Sequence, residues 1–142
     1  MELTKYTREM LDNLPVVDGI KHCPTGDYSV IREFQGTYHF EDHCEFGDNC
    51  EFGTACSFGG YCKFGCDCLF SEYGFFNERC NFGDRCEFEH CIFEFSCMFG
   101  SCCEFRSDCR FDAYCEFESD CEFEVGCEFS SFCEFSTGCC FI

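Results

Sequence analysis

From Cys44 to Cys139 a cysteine returns at every sixth residue with two exceptions, and a phenylalanine stands two places after each beat. Gly74 replaces one cysteine without disturbing the count, and CEFEH, residues 86–90, is one residue short. Weaker hexads precede the run, REFQGT at 32–37 and YHFEDH at 38–43. A helix returns its apolar face every 3.6 residues and a coiled coil every 3.5, so neither fits. Cys-x-Phe alternates with period two, which is a short strand with both side chains on one face. One hexad is then one strand and one corner, and three hexads close a triangular coil of 18 residues. Gly47, Gly53, Gly59, Gly65, Gly83 and Gly100 follow phenylalanine and are expected to turn the corner at positive φ.

Parallel coils stack about 4.8 Å apart, which sets phenylalanine on phenylalanine and thiol on thiol inside. A thiol is a compact, weakly polar hydrophobe that leaves room for the ring beside it. The 16 in-frame cysteines therefore read as buried free thiols.

The pattern resembles the hexapeptide-repeat, left-handed parallel β-helix family, in which a small residue, a variable one, a large apolar one and often glycine recur. CEFGDN fits it, with cysteine in the small slot and phenylalanine in the large one. The resemblance covers about residues 32–142 and implies left-handed coils. Cys-x-Phe is also similar to the interior pair of four-sided, right-handed pentapeptide-repeat proteins, but only CEFEH has that length. CPTGDY at 23–28, ahead of Cys-x-Phe-Gly hexads, is similar to bacterial and phage proteins and implies no function. The expected fold is an all-β, triangular parallel β-helix over 44–142, with a small N-terminal α/β cap over 1–43.

With 142 residues, 22 Phe and 20 Cys, the chain suits one continuous core. The start, MELTKYTREMLDNLP, is charged throughout and reads as neither secretory signal nor membrane span. A cytoplasmic location follows, in a bacterium or a phage-infected host, where thiols stay reduced. Leu3, Tyr6, Met10, Leu11 and Leu14 share one helical face up to Pro15, and VVDGIKHC and YSVIREF read as strands. The other end, Cys140, Phe141 and Ile142, has no comparable cover and is expected to pair two copies tail to tail.

The residue between cysteine and phenylalanine faces solvent, so a partner is recognised there. Leu69, Phe75, Ile92 and Met98, with Phe95 at a corner, are expected to form an apolar patch. Glu33, Glu51, Leu69, Glu87, Glu104 and Glu122 should share one column. From residue 44 on there are 20 acidic and 5 basic side chains, net −15. Over roughly 26 Å of solenoid that is about one negative charge per 1.8 Å, close to the ~1.7 Å of duplex DNA. An acidic surface also serves solubility alone.

Chemistry is sparse. The hexapeptide-type acyltransferases use a histidine between coils, a protruding loop and a basic patch, and this chain offers His22, His39, His43 and His90, no inserted loop and few cations. His90, at the five-residue hexad, is the best lone histidine and is expected to be structural or solvated. The off-frame Cys23, Cys66, Cys102 and Cys140 are scattered, so no metal site and no cofactor is assigned.

With a net charge of −19, direct binding to nucleic acid or an anionic membrane is disfavoured. The expected function is non-enzymatic: an acidic solenoid that imitates nucleic acid and inhibits a nucleic-acid-binding protein, as a phage or mobile-element anti-defence inhibitor does. Glu51, Glu87, Glu104, Glu116, Glu122, Glu128 and Glu134 would supply the charge. A structural spacer and a cryptic acyltransferase are the alternatives.

Overall fold

A computed structural model describes residues 2–142. The chain winds into a parallel β-solenoid with three sheets as its faces. Face 1 stacks Ile20–Cys23, Thr37–Phe40, Ser57–Phe58, Phe75–Phe76, Ile92–Phe93, Arg110–Phe111 and Glu128–Phe129. Face 2 stacks Lys63–Phe64, Asn81–Phe82, Met98–Phe99, Glu116–Phe117 and Glu134–Phe135. Face 3 runs from Glu33–Phe34 through Glu51–Phe52, Leu69–Phe70, Glu87–Phe88, Glu104–Phe105 and Glu122–Phe123 to Cys140–Phe141. Most strands are two residues long, because three of every six residues are needed for the corner. Successive coils are tied by backbone bonds such as Leu69 N–H to Cys50 O, Ser71 N–H to Phe52 O and Ala55 N–H to Glu72 O.

Inside, the rings form three ladders. Rings one coil apart lie face to face, as Phe52 and Phe70 do at 4.9 Å and 2°. Rings of neighbouring faces meet edge to face, as Phe52 and Phe58 do at 5.1 Å and 87°. Offset-stacked and edge-to-face contacts suit the aromatic quadrupole and add about 0.5–1.5 kcal/mol per pair beyond area burial.

The cysteines do more than fill space. At most coils the carbonyl after a phenylalanine is reached by a thiol of the next coil: Cys80 Sγ donates to Gly59 O at 3.4 Å, Cys86 to Gly65 O at 3.4 Å and Cys121 to Gly100 O at 3.3 Å. An alanine of similar size would leave these part-buried carbonyls without that donor. Burial pushes the thiol of Cys56 up to about 11 and that of Cys91 up to about 12, so both stay protonated donors. Gly74 leaves a gap in its ladder, where a Cβ would stand 3.1 Å from Cys91 Sγ and from the Phe76 ring.

The corners correct the expectation for the glycines. Positive φ falls on the sixth residue of the hexad, just before cysteine, at Asn49, Ala55, Tyr61, Asp67 and their equivalents, while the glycines after phenylalanine lie outside the left-handed region. What they provide is space. A Cβ on Gly83 would come within 2.7 Å of Gly65 C and 2.8 Å of Cys66 N. At such corners an aspartate from the coil below caps the backbone, Asp48 Oδ1 accepting from Cys66 N–H and Asp84 Oδ1 from Ser101 N–H, both at 2.8 Å. Off-frame Cys66 continues this series, its Sγ accepting from Asp84 N–H at 3.3 Å.

The helix of the cap is shorter than the run expected over residues 3–14. The helix α1 spans only Arg8–Asp12, with Thr7 as N-cap accepting from Met10 N–H. Residues 4–6 are instead extended, Tyr6 N–H bonding Asp27 O and Asp27 N–H bonding Thr4 O. This rung covers the open sheet edge and lays Tyr6 on Tyr28 at 4.6 Å. Leu11 is fully buried, while Met10 faces outward. Val16–Val17 pairs antiparallel with Ile20–Cys23, which joins face 1 in parallel. No helix among the described residues is long and apolar enough to cross a membrane.

Candidate functional site

The register places every middle residue of the triplets on a known face. On face 3, Glu33 pairs with Glu51, Glu51 and Glu87 with Leu69, Glu87 with Glu104, and Glu104 with Glu122. Three glutamates in direct succession repel one another. Partial burial, followed by the charges of Glu87 and Glu122, raises the Glu104 carboxyl above its ordinary value. Arg106 lies 3.4 Å from Glu87. Glu116 and Glu134 are paired on face 2, and Glu128 adjoins Arg110 on face 1, 3.6 Å from its guanidinium. The seven predicted acids thus occupy all three faces.

The predicted apolar residues divide in the same way. Phe75 and Ile92 are paired on face 1, and Phe95 lies at the corner that leads on to Met98 on face 2. Leu69 stands apart on face 3 between two glutamates. At the last coil Phe141 is 61% and Ile142 75% exposed, and Cys140 is exposed above Glu122.

One outward feature has no counterpart in the sequence reading. The sixth residues at the corner between faces 1 and 2 form an external ladder: His43 stacks on Tyr61 at 5.0 Å, Arg79 donates to the Tyr61 hydroxyl at 2.7 Å, and Tyr114 stacks on Phe132 at 5.1 Å. The signal was an aromatic or cationic residue at the sixth position of every third hexad, interrupted once by Ser96.

The short hexad lies where face 3 turns into face 1. His90 takes the sixth position, with φ of 49° and its N–H on Ser107 O, so the missing residue is the fifth. Ala55 N–H bonds Glu72 O one coil up, and Tyr73 N–H has no such bond among the described residues. Tyr73 instead stacks on His90 at 5.6 Å. Around His90 lie Glu72, Glu89 and Asp108, side chains able to hold a cation and passed over by the sequence reading. The off-frame thiols, by contrast, stay apart, with Cys23 buried, Cys66 half-buried and Cys102 exposed.

A cleft of about 320 Å³ lined by Leu3, His43, Glu45, Tyr61 and Lys63 is wide open to solvent. No known protein family, curated protein or solved structure matches the chain.

Proposed function

We propose that this solenoid is a non-enzymatic, acidic protein-binding body that stands in for nucleic acid on a nucleic-acid-binding protein. The observation that carries the reading is the unbroken run Glu87, Glu104, Glu122 along face 3. Such a run disfavours folding, and a basic groove on a partner would neutralise it as it neutralises a phosphate backbone. Glu51 lies further along the column, and Glu116, Glu128 and Glu134 extend the charge around the last coils. Leu69 supplies apolar contact within that column, and Phe75, Ile92, Phe95 and Met98 offer a separate apolar surface on face 1, face 2 and the corner between them. A cytoplasmic phage or mobile-element inhibitor of a host nuclease is the setting this reading fits, and the resemblance of the Cys-x-Phe-Gly hexads to the hexapeptide-repeat solenoids is compatible with it.

The test is capture of a nucleic-acid-binding protein from bacterial lysate on the full chain, with release by salt and displacement by duplex DNA. Glu87→Lys, Glu104→Lys and Glu122→Lys together should abolish capture while circular dichroism stays unchanged. A partner held equally well by the lysine variant, or indifferent to DNA, would falsify the decoy reading. The exposed Leu69 favours a second reading, a rigid spacer held through apolar contacts, for which salt would be without effect and Leu69→Asp would release the partner.

A further inference from the structure

The five-residue hexad gathers three acceptors and supplies no donor among them. Glu72 belongs to one coil, and Glu89 and His90 belong to the coil stacked on it. One carboxylate oxygen from each glutamate and one ring nitrogen of His90 lie within 4.8 Å of one another. Neither glutamate takes part in an ion pair among the described residues.

His90 gives the cluster its chemistry. Its Nε2 faces the Asp108 carboxylate at 3.5 Å, which favours the tautomer with the proton on Nε2 and leaves the Nδ1 lone pair free. That Nδ1 is buried and has no hydrogen-bond partner. Buried polar atoms of native proteins are nearly always satisfied, and in that neutral tautomer a neighbouring carboxylate, itself an acceptor, cannot satisfy this one. A cation satisfies all three groups at once. An imidazole held by a carboxylate on its far nitrogen is also the usual arrangement behind a metal-bound histidine.

We propose that Glu72, Glu89 and His90 bind a divalent transition-metal ion of the zinc class, with His90 Nδ1 as the nitrogen ligand and Asp108 orienting the ring. Imidazole selects zinc, cobalt or nickel over magnesium and calcium. Zinc binds carboxylate oxygen and imidazole nitrogen at about 2.0–2.2 Å in tetrahedral geometry, so the three atoms, within 4.8 Å of one another, share one ion after the glutamate side chains close on it by up to roughly an ångström. Three protein ligands leave a coordination position for water. The ion ties Glu72 to the next coil at the corner where Tyr73 N–H lacks its inter-coil bond. The proposal stands whether or not the solenoid imitates nucleic acid.

The test must separate this site from exposed thiols. The full chain is titrated with Co²⁺ and followed by absorption, since thiolate ligation gives an intense near-ultraviolet charge-transfer band that nitrogen and oxygen ligands lack. One equivalent should bind without that band, and Zn²⁺ should displace it. His90→Ala, Glu89→Gln and Glu72→Gln should each weaken binding at least tenfold, and Asp108→Asn by about 10- to 100-fold. Zn²⁺ should raise the unfolding temperature of the parent protein by mass action and leave that of the variants unmoved. Cys102→Ser with Cys140→Ser should change none of this. Absence of a bound equivalent, a thiolate band removed by those serines, or equal affinity in the ligand variants would each overturn the site. Glu72 is exposed, so Glu72→Gln carries the test even where His90→Ala fails to fold.

Discussion

Two successive corners of one coil show what a single residue does to this solenoid. At Gly83, Asp84 and Arg85 the corner is complete: Asp84 N–H bonds Cys66 Sγ below, its carboxylate caps Ser101 N–H above, and Arg85 N–H reaches Ser101 O. At Glu89 and His90 the fifth residue is missing, and only His90 N–H reaches upward, to Ser107 O. The interior hardly registers the loss. Phe82 stacks on Phe99 at 4.9 Å and 3°, and Phe88 stacks on Phe105 at 5.0 Å and 4°. The difference is confined to the outside, where one corner spends its polar groups on backbone capping and the other leaves carboxylates and an imidazole free. Ring packing therefore fixes the coil, and corner length decides what the surface offers.

That conclusion is open to measurement. Phe82→Ala and Phe88→Ala should each lose about 3–5 kcal/mol in denaturant unfolding. A much smaller loss at Phe88 would show that the short corner had loosened the core after all. Gly83→Ala should come next, at about 1–3 kcal/mol, because its Cβ would press on backbone that cannot yield alone. Glu89→Ala at the equivalent position should stay within about 0.5 kcal/mol, and equal effects at the two corners would erase the distinction.

A small effect of the opposite sign lies beside them on face 3. Glu104→Gln should stabilise at neutral pH by less than about 1 kcal/mol, since the group is largely exposed and solvent screens it. The folded state holds the Glu104 proton more tightly than the unfolded chain, so this residue's contribution to stability falls as pH rises through its raised folded value. Thermal unfolding of the parent across that range should show the decline, and the glutamine variant should show less of it.

The sequence carried most of this architecture, because a side-chain period of two inside a period of six has few realisations. The column on face 3 followed from counting in hexads, and its register is as expected. Counting did not reveal what the corner glycines do. Glycine allows both positive φ and close approach, and only the backbone of the neighbouring coil tells the two apart, as Gly65 and Cys66 do for Gly83. Counting likewise missed the group around His90, since Glu72 meets it from 18 residues away only after the corner is drawn in. The apolar residues were read as one patch because they are near in sequence, although Leu69 and Met98 lie on different faces.

The short hexad has one more consequence, for the path by which the chain finds its register. A repeat this regular lets a strand pair one coil too early or too late, and phenylalanine still meets phenylalanine. Seventeen residues separate Phe75 from Ile92, Asn81 from Met98 and Glu87 from Glu104, whereas eighteen separate Ser57 from Phe75 and Ile92 from Arg110. A slipped pairing has to make this one odd interval fit an even series, and the whole winding downstream is thrown out of step. The missing residue marks the chain as a bookmark marks identical pages, giving a degenerate repeat a single best alignment.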